Sequence, residues 1–161
     1  MELESCFEQM EVVVIGRAGG PIALKRLWVP YPEIGDDEVL VDVSYIGVNR
    51  IDIEQRLMGL RMPNGDHNCP GVEISGRIAA LGNNVVGWKQ NQEVCVVLNG
   101  GGYAEKVAVS SRLLLPVPFC HSLSEAACLP MAACTVWRAF FLGNLDKGKR
   151  ILVIMTFMSC K

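Results

Sequence analysis

The alternation of apolar and polar positions begins at Met10, where Met10-Glu11-Val12-Val13-Val14-Ile15 reads as a β-branched strand. Gly19-Gly20-Pro21 interrupts it and Leu24 to Val29 resumes it, which predicts a hairpin-like opening. Beyond the connector Pro30-Tyr31-Pro32 and the turn Gly35-Asp36-Asp37, Glu38 to Tyr45 partly alternates, as a half-buried strand does. From Asn49 to Met58, Ile51, Ile53 and Leu57 interleave with Asp52, Glu54 and Arg56 and predict a short helix, ended by a loop from Pro63 to Pro70. Gly71 to Leu81, Gln92 to Leu98 and Tyr103 to Val109 give three more strands separated by Gly-rich turns, and short strands at this spacing predict a barrel or sandwich. Pro116 and Pro118 close the β-rich part. Ser124-Glu125-Ala126-Ala127 then opens a helix expected to run to Leu142, followed by a turn at Gly143 to Gly148 and a strand at Ile151 to Ile154, the usual start of a parallel α/β layer. The expected fold class is mainly β, of the α+β kind.

Charge and composition remove several function classes. A net charge of −2 offers no basic field for a nucleic-acid backbone or an anionic membrane. The acidic start Met1-Glu2-Leu3-Glu4 does not resemble a secretory signal, and the apolar stretches fail as spans because Ala126 to Leu142 contains Pro130 and Arg138 and Ile151 to Met158 is too short. A cytoplasmic protein with no nucleic-acid and no membrane partner is expected. Half of the residues are hydrophobic and only 20% charged, so some surface is expected to seek a partner. Seven cysteines, an odd number without a Cys-x-x-Cys pair, suggest reduced, buried thiols.

The run Gly47-Val48-Asn49-Arg50-Ile51-Asp52, with Gln55-Arg56 and Gly59, resembles the Gly-Val-Asn-x-x-Asp signature of zinc-free quinone oxidoreductases related to zeta-crystallin, in the medium-chain dehydrogenase/reductase superfamily. Pro70 to Gly76 with Leu81-Gly82, Gly101-Gly102-Tyr103-Ala104-Glu105, and Leu129 to Ala139 follow in the family's order. The resemblance implies a GroES-like, partly open β-barrel catalytic domain at 10–121, preceded by an acidic extension at 1–9 and followed at 122–161 by the first helix and strand of an incomplete Rossmann domain. It also implies NADPH as hydride donor, no zinc and no flavin, and a quinone or enone substrate in the cleft. Asn49 and Asp52 carry over as catalytic and cofactor-binding residues, and Thr135 as a cofactor-binding residue near the nicotinamide. An amide offers a donor and an acceptor, and a carboxylate accepts from a hydroxyl or water, so the pair could orient a cofactor and polarise a carbonyl. The plainer alternative is that Asp52 pairs with Arg56 at i+4 while Asn49 ends a strand. Tyr103 is expected to pack rather than react.

Zinc-dependent relatives carry Cys and Gly-His-Glu where this chain has Asn49 and Gly71-Val72-Glu73, so no metal site is expected. His67 with Cys69 and Cys120 with His121 lack the companions of a tetrahedral site. Gly143 to Lys149 imitates a P-loop but lies between helix and strand, the reverse of the required order. A departure in the catalytic half is Arg61, where the family often has a tyrosine shortly after Arg-x-Gly, which leaves substrate preference open. Rossmann folds grip pyrophosphate through glycines after their first strand, and Ile154 to Lys161 contain none. The expectation is therefore a truncated chain, inactive alone. The alternative is a non-catalytic GroES-like module that uses its exposed apolar face to form a homodimer or to pair with a full-length relative.

Overall fold

The computed structural model describes residues 8–59, 68–145 and 147–150. Outside them lie the acidic stretch at 1–7, the loop at 60–67 with Arg61 and His67, and the expected strand at 151–154. Seven strands and three helices are described: β1 (Gln9–Ile15), β2 (Leu24–Pro30), β3 (Glu38–Ile46), α1 (Arg50–Met58), β4 (Glu73–Leu81), β5 (Glu93–Val97), β6 (Lys106–Ser110), β7 (Leu114–Pro116), α2 (Leu123–Ala126) and α3 (Pro130–Leu142).

The strands form two antiparallel sheets, the β1-β2 hairpin and a five-stranded sheet in the order β6-β3-β4-β5-β7. Among the described residues one isolated bridge, Val12 opposite Ala104, joins them, and the sheets do not close into a continuous barrel. The core lies between them. Val12 and Val14 of β1 meet Val39 and Val41 of β3, Ile74 and Ile78 of β4, Val94 and Val96 of β5, and Val107 and Val109 of β6. Alternate residues of each strand supply this face, as period-two side-chain geometry requires.

The opposite face of β4 is also covered. Glu73 and Ser75 alternate with Ile74 and are buried on the side where α2 packs: Ser75 Oγ donates to the Leu123 carbonyl at 2.5 Å, and Ala126 and Ala127 are fully enclosed. At its far end β3 carries one extra residue, Ser44, between the pairs Val43–Gly76 and Tyr45–Ser75. Such a bulge bends the strand, and β3 ends directly before the start of α1.

Four expectations change. The stretch at 103–105 is not part of β6; Tyr103 and Glu105 instead exchange backbone hydrogen bonds with β1, where Val13 N–H donates to the Tyr103 carbonyl at 2.8 Å. The helix expected from Ser124 to Leu142 is two helices. α2 is capped by Ser122, whose Oγ accepts the Glu125 N–H, and stops after one turn; Pro130, which lacks an N–H and suits the first turn, starts α3. A short edge strand, β7, ends at Pro116, where an edge tolerates proline. Among the described cysteines only Cys69 and Cys95 are buried, while Cys120, Cys128 and Cys134 are exposed, because they lie on the linker after β7 and on outer positions of the α2–α3 segment.

Candidate functional site

Gly47-Val48-Asn49 carries the chain from β3 into α1. Asn49 has extended backbone angles and occupies the N-cap, and Asp52 stands three residues on, where its Oδ2 accepts the Asn49 N–H at 2.7 Å. A carboxylate at this position satisfies a backbone donor that the helix itself leaves unpaired. Asp52 Oδ1 accepts a second backbone N–H, that of Gly71, at 3.1 Å. The side chain is thus a clamp between the start of α1 and the approach to β4, and it is only 4% exposed. Burial pushes its carboxyl above the ordinary range, the two N–H donors pull it partly back, and the charge of Glu73 pushes it up again. Arg56 does not pair with it; its Nη1 donates to the Gly19 carbonyl at 2.7 Å.

Gly71 is required where it stands. Its φ of +104° is in the region that favours glycine, and a Cβ there would lie 2.6 Å from the Tyr103 ring. Tyr103 packs against this backbone, and burial, with Asp52 and Cys69 nearby, pushes its phenol up to about 12. Its ring also lines a hollow of about 450 Å³ shared with Val13, Val43, Tyr45 and Ile46. Burial pushes the Cys69 thiol up to about 11, so it stays protonated and unreactive at neutral pH.

Asn49 reaches further. Its Nδ2 donates to Glu73 Oε1 at 2.7 Å, with a longer approach of 3.4 Å to the Gly47 carbonyl. Glu73 Oε2 accepts the Met131 N–H at 2.9 Å, in the first turn of α3. Glu73 is 3% exposed. Thr135 stands one turn along α3 from Met131, exposed, and its Oγ1 donates to the Met131 carbonyl at 2.8 Å, the back-bond of a helical threonine. The structure therefore brings Asn49, Asp52 and Glu73 together at the root of α3 and places Thr135 on the same helix without a side-chain contact to them. The junction offers an oriented amide whose NH₂ is engaged, and a carboxylate whose two oxygens are both occupied. Among the described residues no three His, Cys, Asp or Glu side chains gather where a metal could sit.

Glu73 was not singled out from sequence. Its signal was a carboxylate inside the apolar run Gly71-Val72-Glu73-Ile74, a placement that is costly unless hydrogen-bonded. Gln55, on the same face of α1 as Asp52, was equally unforeseen as a buried group: it is 1% exposed, and neither of its amide atoms finds a partner among the described residues.

The alcohol dehydrogenase GroES-like domain family matches residues 35–119. A mouse protein, synaptic vesicle membrane protein VAT-1 homolog-like, is 32% identical over 147 residues, 91% of this chain and 35% of its own length. The chloroplastic quinone-oxidoreductase QR1 of Triphysaria versicolor is 31% identical over 149 residues, 86% of this chain and 45% of its own length. The crystal structure of human VAT-1 homolog-like protein superposes with a TM-score of 0.80 at 32% identity, over 88% of this chain and 46% of that one. The chain thus spans less than half the length of these relatives.

Proposed function

The chain belongs to the alcohol dehydrogenase GroES-like domain family, within the medium-chain dehydrogenase/reductase superfamily, and on that premise we propose that it forms the substrate side of a zinc-free cleft in which NADPH reduces a quinone or an enone. The observation that carries this reading is the Asn49 amide held by Glu73 at the root of α3: an oriented polar group stands where a metal-dependent site would need a thiolate. In this reading Asn49 orients cofactor and substrate, Asp52 fixes the backbone that carries Asn49, and Thr135 faces the nicotinamide from α3. When bound, NADPH supplies the hydride. The residues described here form the nicotinamide side of that site, and none of them is assigned to the pyrophosphate. Among the described residues no helix is long and apolar enough to cross a membrane.

The test is NADPH oxidation by the purified protein with a quinone or an enone as acceptor, with and without chelator, alongside NMR of the Asn49 side-chain amide and the Thr135 backbone. Turnover that survives chelation, or NADPH-induced shifts at both residues, supports the reading. Turnover lost to chelation and restored by zinc overturns it, and so does the absence of both turnover and shifts.

The bareness of α3 supports a second reading, that of a non-catalytic interaction module. Trp137 and Phe141 are 75% and 77% exposed, and Trp137, Phe140, Phe141, Asn144 and Leu145 line a hollow of about 350 Å³. An apolar surface of this kind marks association sites. Light scattering separates the readings: larger species supports the module, and a monomer at all concentrations rejects it.

A further inference from the structure

The two oxygens of Glu73 serve two different pieces of the chain. Oε1 holds the side chain of Asn49, 24 residues away in sequence, and Oε2 holds the Met131 N–H, 58 residues away. The fit is close on every side. Gly47 donates its N–H to the Glu73 carbonyl at 3.0 Å, and a Cβ on Gly47 would stand 2.4 Å from both Glu73 Oε1 and the Ala127 carbonyl. A carboxylate accepts and never donates when ionised, so it admits only one face of the Asn49 amide, NH₂ inward and oxygen outward. The other oxygen neutralises a backbone donor at the positive end of a thirteen-residue helix.

We propose that Glu73 is a positioning residue, a single buried carboxylate through which the seating of α3 sets the orientation of the Asn49 amide. A change in α3 that withdraws the Met131 N–H alters the carboxylate, and the amide that leans on it is released to turn. The coupling stands on this geometry alone; its consequence for hydride transfer rests on the function proposed above.

Glutamine in place of Glu73 makes the coupling measurable, because an amide of the same shape has one acceptor oxygen for two donors. In the full chain, hydrogen exchange is followed by NMR at the Asn49 side-chain NH₂ and the Met131 amide. In Glu73→Gln one of the two sites is expected to lose protection by about tenfold or more while the other keeps it, the scale of one charge-assisted hydrogen bond. In Glu73→Ala both are expected to lose it. Met131→Pro, which removes that N–H in the first turn where a helix tolerates proline, is expected to lower protection at the Asn49 NH₂ by about tenfold, whereas Met131→Ala, which keeps the N–H, should leave Asn49 as in the parent protein. Wild-type protection at both sites in Glu73→Gln overturns the proposal, and so does wild-type protection of the Asn49 NH₂ in Met131→Pro; both variants can be read even where Glu73→Ala fails to fold. The coupling with neither turnover nor NADPH-induced shifts sinks the catalytic reading and leaves the role of Glu73 standing.

Discussion

At the residue scale, the polar groups buried on α1 fall into two kinds, and stability measurements should separate them. Asp52 satisfies the N–H groups of Asn49 and Gly71 at once, so Asp52→Ala leaves one buried and one half-buried donor unpaired and should cost about 2–4 kcal/mol in chemical denaturation. Gln55 satisfies nothing among the described residues. Replacing it with leucine removes a buried amide of similar volume and should raise stability by about 1 kcal/mol. Tyr103 gives the pH test. Its phenol ionises near 12 when folded against 10.0 ordinarily, so on raising the pH the unfolded chain loses this proton first. The stability tied to it is complete below pH 10 and is lost as pH rises towards 12. Ultraviolet titration of the native protein should show one of the three tyrosines ionising late.

At the element scale, the loop between β3 and α1 depends on a residue with no side chain. Gly47→Ala would drive a methyl group into Glu73 Oε1 and the Ala127 carbonyl, and we expect a loss of about 2–3 kcal/mol by thermal unfolding, together with a weakened Asn49–Glu73 contact. Much at this scale was legible in advance. β1, β2, β3, β4, β5 and α1 follow from β-branched runs, alternation and turn residues, while the cap formed by Asn49 and Asp52, three residues apart, went unread. What stayed hidden was long-range. Nothing local says that the stretch at 103–105 leaves β6 to pair with β1, or that Glu73 finds donors on two remote elements. The break at Pro130 did have a local signal, which the apolar run on either side of it masked.

At the scale of the whole molecule, the sheets with α2 are well enclosed and α3 is bare. The sheets share a continuous core and α2 is pinned to β4 by Ser75, whereas among the described residues α3 meets the rest mainly at its first turn, and residues 132–142 are exposed. Association should therefore depend on concentration, and Trp137→Lys with Phe141→Lys should abolish it in sedimentation experiments while leaving the fold unchanged. The same bareness has a mechanical side. A helix of thirteen residues is about 20 Å long, and among the described residues it is fastened near one end, by the bond between Glu73 and Met131 and by the burial of Pro130. It is a lever with its fulcrum at a buried carboxylate. A tilt of about 10° sweeps its tip through roughly 3 Å while hardly displacing its root, so anything that grips the aromatic end pulls on that buried root with multiplied force.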